Sequence, residues 1–297
     1  MDDNWTPLER DYSPSSCLDD TTGGVDALLA AYRTESERAR AALPPQTHAY
    51  GSLPSERLDV FAAGPGSPAH VFVHGGYWQE LSKDDSSFPA PAFVDRGITY
   101  IAVDYGLAPE FTLDQIVAQV RAALAWVHTH ADELGIDPRG LVVSGSSAGA
   151  HLAATAALTD WSKHGLPADL IGGLVLLSGI YDLDPLVDTY INDAVGMDRG
   201  VAERNSPLLH VTRRSAEASG PSDPAMPAVI AWGEHETGAF KRQSARFADA
   251  WQQAGHPVSR LEAAGRNHFD IVHDLGDPAT PLGAEVARLH ETVGSSR

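Results

Sequence analysis

Short apolar runs alternate with longer amphipathic stretches along most of the chain. Ala69–Val73, Ile98–Val103, Leu141–Gly145, Leu170–Ser178 and Ala228–Trp232 are rich in aliphatic and β-branched residues with few polar breaks. Runs of that kind read as strands covered on both faces, as in a parallel sheet. Between them, apolar residues recur at helical spacing, as with Ile116, Val120, Leu124 and Val127 inside Leu113–Leu134. Phe240–Gly255 and about Leu282–Val293 read as further helices, with Val258–Glu262 as the last strand. Ahead of the sheet, Val25, Leu28, Leu29 and Tyr32 mark a helix over Val25–Leu43 that stops at Pro44-Pro45. Thr47–Tyr50 and Arg57–Ala62 then form an antiparallel edge around Gly51-Ser52-Leu53-Pro54.

This alternation predicts one α/β domain over residues 1–297: a doubly wound, mostly parallel sheet with helices on both faces. Residues 1–45 are an N-terminal helical extension. Residues of about 182–227 leave the sheet between two strands and are expected to form a small cap insertion at its carboxyl end. Within them, the polar, Pro- and Ser-bearing stretch Arg213–Pro227 reads as a surface loop.

Composition narrows the partners. The net charge of −19 works against nucleic acid, anionic membranes and polyanionic substrates, leaving a small molecule as the expected partner. No apolar run approaches the ~20 residues that span a bilayer, and Met1-Asp2-Asp3-Asn4-Trp5 lacks the pattern of an export signal. A cytoplasmic location is therefore expected, and the acceptor pattern Asn4-Trp5-Thr6 is expected to stay unglycosylated. Cys17 is the single cysteine, which excludes an internal disulfide and a multi-thiolate metal site. His128 and His130 stand two apart on a helix and so point in different directions. With no H-E-x-x-H pattern either, no metal or other cofactor is expected. Oligomeric state is not written in the pattern; a homodimer is one arrangement open to it.

The chemistry centres on Gly145-Ser146-Ser147-Ala148-Gly149, which joins a strand to a helix. In a G-x-S-x-G nucleophile elbow the glycines let strand and helix pass closely and lift the serine, here Ser147, clear of the sheet. The strand Ala69–Val73 runs into His74-Gly75-Gly76-Tyr77-Trp78. Paired glycines past a strand allow backbone N–H groups to approach a developing oxyanion, so Gly75, Gly76 and Ala148 are the candidate oxyanion hole. Tyr77 and Trp78 read either as core or as an aromatic wall of the pocket.

A serine hydroxyl needs a base, and the base needs a carboxylate to hold its tautomer. The elbow fold orders these Ser, acid, His. Glu236 follows the penultimate strand and His268 follows the last one, which makes Ser147, Glu236 and His268 the candidate catalytic set. Glu234 and Asp270 compete for the acid and His273 for the base, whereas His151, one helical turn past Ser147, reads as structural.

Taken together, these motifs resemble the α/β-hydrolase type of kynurenine formamidase (arylformamidase). The likeness rests on Tyr12-Ser13-Pro14-Ser15, His74-Gly75-Gly76-Tyr77-Trp78 with Gln79 and Ser82-Lys83-Asp84, and Ser147-Ala148-Gly149-Ala150-His151-Leu152. It continues through Ser178-Gly179-Ile180-Tyr181-Asp182-Leu183, Thr189-Tyr190-Ile191-Asn192-Asp193, Arg204-Asn205-Ser206-Pro207, Phe240-Lys241-Arg242-Gln243-Ser244 and Asn267-His268-Phe269. The resemblance implies an α/β-hydrolase fold and a serine hydrolase that converts N-formylkynurenine to kynurenine and formate. It implies Ser147 as nucleophile, His268 as base and Glu236 as acid, where the family usually carries Asp. Ser146 stands where relatives often carry His. Trp78, Tyr77 and Tyr190 are the candidate substrate contacts; Arg204 and Asn192 are conceivable ones for the amino-acid end. The rivals are a promiscuous carboxylesterase or carbamate/anilide amidase of the same fold and, further off, a non-catalytic ligand-binding protein.

Overall fold

Each apolar run forms a strand, and successive residues of a run face opposite sides of the sheet they build. In the computed structural model residues 5–19, 22–217 and 225–295 are described; Asn4 of the acceptor pattern lies outside them. The strands are β1 (Gln46–Ala49), β2 (Arg57–Phe61), β3 (Ala69–Val73), β4 (Thr99–Val103), β5 (Leu141–Ser146), β6 (Ile171–Leu177), β7 (Ala228–His235) and β8 (Val258–Asn267). The helices are α1 (Pro7–Asp11), α2 (Gly24–Ala42), α3 (Ala90–Val94), α4 (Leu113–Thr129), α5 (Ala131–Leu134) and α6 (Ala148–Ala157). They continue with α7 (Asn192–Val195), α8 (Arg199–Arg204), α9 (Pro207–Glu217), α10 (Gly238–Gln253) and α11 (Pro281–Ser295).

The strands form one sheet in the order β1-β2-β4-β3-β5-β6-β7-β8. β2 runs antiparallel to both its neighbours, and every pairing from β4 to β8 is parallel. Leu141, Val143, Leu174 and Leu176 pack on one face with Leu124, Ala153, Phe247 and Trp251 of α4, α6 and α10. Val142, Val175 and Leu177 pack on the other with Tyr32, Phe93, Leu282 and Val286 of α2, α3 and α11. This two-sided burial is why the strand runs are almost wholly apolar. Strand order reverses between β3 and β5, and at such a switch point the following loops diverge and leave a crevice.

Three boundaries differ from expectation. The long helix after β4 breaks at His130, whose backbone (φ −107°, ψ 17°) leaves the helical range, so α4 and α5 are separate. The expected surface loop from Arg213 begins later: α9 continues through Glu217, since no glycine or proline interrupts the chain until Gly220. The rest of that loop through residue 224 lies outside the described residues. Finally, β7 and β8 outrun their apolar cores and keep pairing past a register shift between Gly233 and His235. No helix among the described residues is long and apolar enough to cross a membrane. Cys17 is exposed at the end of a 3-10 turn, Pro14–Cys17, in the N-terminal segment.

Candidate active site

β5 ends at Ser146 and α6 begins at Ala148, leaving Ser147 alone at the turn with φ 56° and ψ −118°. A non-glycine residue held there stores roughly 1–3 kcal/mol of strain. The strain is held by the surroundings. The Ser147 N–H donates to the Leu177 carbonyl at 2.8 Å, and the flanking glycines admit no side chain. A Cβ on Gly149 would strike the Val73 carbonyl, and one on Gly145 would strike the Gly149 backbone.

β3 delivers the facing wall. A Cβ on Gly75 would come within 2.9 Å of the Ser146 carbonyl and 3.3 Å of Ser147 Cβ, so only glycine lets this loop lie against the elbow. Gly76 follows at φ 93°. The Tyr105 hydroxyl donates to the His74 carbonyl at 2.8 Å and to that of Gly75 at 3.2 Å. The amides of Gly75, Gly76 and Ala148 have no backbone acceptor among the described residues, and that of Ala148 belongs to the first turn of α6. Donors placed in this way suit a negative charge forming beside the Ser147 hydroxyl.

β7 and β8 bring in the remaining pair. His268 Nδ1 lies 3.0 Å from Glu236 Oε2, and donation from Nδ1–H to the carboxylate leaves Nε2 as an acceptor. Glu236 Oε1 accepts from Ser178 Oγ and from the Gly233 N–H, both at 2.5 Å. The competing residues are engaged elsewhere. Glu234 accepts from the Gly265 N–H at 2.8 Å, Asp270 accepts from the Asn267 N–H at 2.6 Å, and His273 pairs with Glu35 at 3.1 Å.

Ser147 and His268, 6% and 5% exposed, open onto one cavity of about 180 Å³ together with Gly75, Gly76 and Ser146. Between Ser147 Oγ and the imidazole no hydrogen bond forms in this structure; such contacts commonly tighten only when substrate is bound. Phe72, Phe88 and Phe269 supply apolar wall, and Tyr77 and Tyr190 also line the cavity. Trp78 does not reach it. At φ 63° and 0% exposure, it packs edge-on against His151, ring centroids 5.1 Å apart. It therefore holds the His74–Trp78 loop to α6 from the core side, correcting its reading as a substrate contact. Arg204 and Asn192 are also absent from the wall. Arg204 pairs with Asp114 at 2.6 Å, and Asn192 braces the backbone of Val187 and Met197.

The sequence reading missed much of the outer wall, which comes from the N-terminal segment: Pro14, Ser15, Val25, Leu29 and Tyr32. From the 182–227 stretch, Tyr190 lines the cavity. Its hydroxyl lies 2.9 Å from Ser13 Oγ and its ring stacks on Trp5 at 5.5 Å, so segment and insertion meet at the cavity wall. The signal was present in Tyr12-Ser13-Pro14-Ser15, but nothing local says where that segment docks. The His128 and His130 rings each bond a backbone carbonyl, of Pro138 and Trp126. Among the described residues no cluster of side chains suited to a metal ion occurs.

Residues 70–271 match a family described by its alpha/beta hydrolase fold. The chain is similar to the kynurenine formamidase of Danio rerio, with 35% identity over 279 residues covering 91% of each chain. It is also similar to that of Salmo salar, with 34% identity over 286 residues covering 93% of each. A solved structure from Silicibacter sp. TM1040 superposes with a TM-score of 0.78 at 26% identity, covering 95% of this chain and all of the other.

Proposed function

We propose that this chain, which belongs to the kynurenine formamidase family of α/β hydrolases, cleaves an aryl formamide of the N-formylkynurenine type to the arylamine and formate. The observation that carries this reading is the meeting, on one cavity, of a strained serine, an imidazole held by a buried carboxylate and the glycine loop. His268 Nε2 takes the proton of Ser147 Oγ as the oxygen attacks the formyl carbon. The oxyanion settles against the amides of Gly75, Gly76 and Ala148, while Glu236 steadies the imidazolium. The imidazolium then protonates the aryl nitrogen as the C–N bond breaks. A water activated by the same imidazole hydrolyses the formyl ester, releasing formate and restoring Ser147.

The aromatic side chains Phe72, Tyr77, Phe88, Tyr190 and Phe269 around the cavity support an aromatic leaving group. The N-terminal segment and the described part of the insertion, which supplies Tyr190, serve together as the cap. We place the enzyme in the cytoplasm on a small-molecule substrate, away from nucleic acid, in keeping with its net charge of −19.

The test compares kcat/KM for N-formylkynurenine and p-nitrophenyl acetate, with Ser147→Ala as control. The formamide is expected to be the better substrate, and the variant to lose on the order of 10³-fold or more in kcat. A preference for the ester with the formamide barely turned over would make the enzyme a general esterase. Near-normal turnover by Ser147→Ala would remove the serine from the mechanism.

A further inference from the structure

The last residue of β6 and the one after it hold two of the proposed catalytic groups in register. Leu177, the last residue of β6, accepts the backbone N–H of Ser147 at 2.8 Å. Ser178, the next, donates its hydroxyl to Glu236 Oε1 at 2.5 Å and its N–H to the Ala231 carbonyl of β7 at 2.8 Å. Adjacent residues thus touch the elbow on one side and the acid on the other. Ser178 is fully buried and sits at φ 50°, where a residue with a Cβ is strained and glycine is not. The turn here keeps a side chain at a conformational cost, and the hydroxyl of that side chain contacts the carboxylate.

Resting on the reaction proposed above, we infer that Ser178 is a positioning residue for the catalytic acid. Glu236 reaches His268 through a side chain one methylene longer than aspartate, with one more torsion to fix. Ser178 Oγ and the Gly233 N–H occupy Oε1 from two directions, which pins the carboxylate plane and leaves Oε2 for His268 Nδ1. Without the hydroxyl, Glu236 keeps one of its two braces, and the imidazole loses part of the constraint that aims Nε2 at Ser147.

Two variants separate this role from a structural one. Ser178→Ala removes the hydroxyl and keeps the strained backbone, whereas Ser178→Gly removes the hydroxyl and relieves the strain. Losing a hydrogen bond to a charged group predicts a fall in kcat of roughly 10- to 100-fold in both. KM is expected to stay within about twofold, because Ser178 does not line the cavity. Both variants lose the same hydrogen bond, so thermal stability of Ser178→Gly should equal or exceed that of Ser178→Ala, which keeps the strain at φ 50°. Turnover is read on both N-formylkynurenine and p-nitrophenyl acetate, so the result does not depend on which substrate the enzyme prefers. Wild-type kcat in either folded variant overturns the inference. So does a loss of activity that merely tracks the loss of folded protein. An active Ser147→Ala enzyme, by contrast, would strike at the proposed reaction itself.

Discussion

One turn beyond Ser147, His151 bonds through Nε2 to the Asn205 carbonyl at 2.7 Å and is fully buried. It ties α6 to the junction of α8 and α9, a structural task in keeping with its place outside the reacting groups. Burial pulls its pKa down to about 4, against the upward pull of the Asn205 contact and with a smaller downward push from Arg121. His70 is lowered as well, by burial first and then by His290, whose Nε2 lies 3.0 Å from His70 Nδ1. Both rings are neutral when folded and free to protonate when unfolded. Stability is therefore complete above the ordinary histidine pKa of ~6.5 and declines as pH falls towards 4, with His151 alone contributing a loss of about 3 kcal/mol. Denaturant titrations at pH 7 and pH 4 check this, and His151→Gln should show the smaller difference between them. Single residues were unevenly legible. Ser147 and His268, whose proposed roles need particular residue types at particular strand ends, could be singled out in advance, and the structure sets both on one cavity. Trp78 could not, because after two residues at positive φ the sequence does not say which side of the loop a ring will take.

Among the elements, the strands and most helices followed from periodicity, while their ends followed from contacts that no local window contains. Glu236 illustrates the difference. It stands two residues past Glu234 and is told apart from it by its place after Gly233, yet what brings it alongside His268 is the β7–β8 pairing that continues past a register shift as far as His235 and Asn267. The N-terminal segment is the larger example. Asp11 accepts the Ala239 N–H at 2.9 Å in the first turn of α10 and pairs with Arg242 at 2.5 Å, so it caps a helix over 220 positions away in sequence. The Thr237 hydroxyl also donates to the Asp11 carbonyl at 2.5 Å, and that of Tyr77 donates to the Tyr12 carbonyl at 2.5 Å. Asp11→Ala is expected to lower stability by about 1 kcal/mol, as loss of a helix cap does. Because the same anchor sets Pro14 and Ser15 over the cavity, KM for an aryl formamide should rise while kcat for a short ester stays unchanged. Steady-state kinetics on both substrates, beside a thermal melt, tests the pair of effects.

At the scale of the molecule, the excess of acidic groups extends to the cavity wall. Glu80 and Asp85 line it, and no lysine or arginine does so among the described residues. Burial, followed by the proximity of Asp26, raises the pKa of the Glu80 carboxyl. A field of one sign focused by a cleft favours ligands of the other sign and weakens as salt is added. The expectation is that aryl esters bearing an ammonium group have a higher kcat/KM than those bearing a carboxylate. The gap should narrow between about 0.01 M and 0.15 M salt, as the Debye length drops from ~30 Å to ~8 Å. Equal rates for the two at low salt would rule out this steering. The single cysteine offers a practical consequence of another kind. Cys17 is exposed and lies two residues beyond Ser15, which lines the cavity. A maleimide dye will therefore attach at one place, two residues from the cavity wall. Its emission can follow, in real time and without a chromogenic substrate, whether the N-terminal segment shifts as a ligand arrives and leaves.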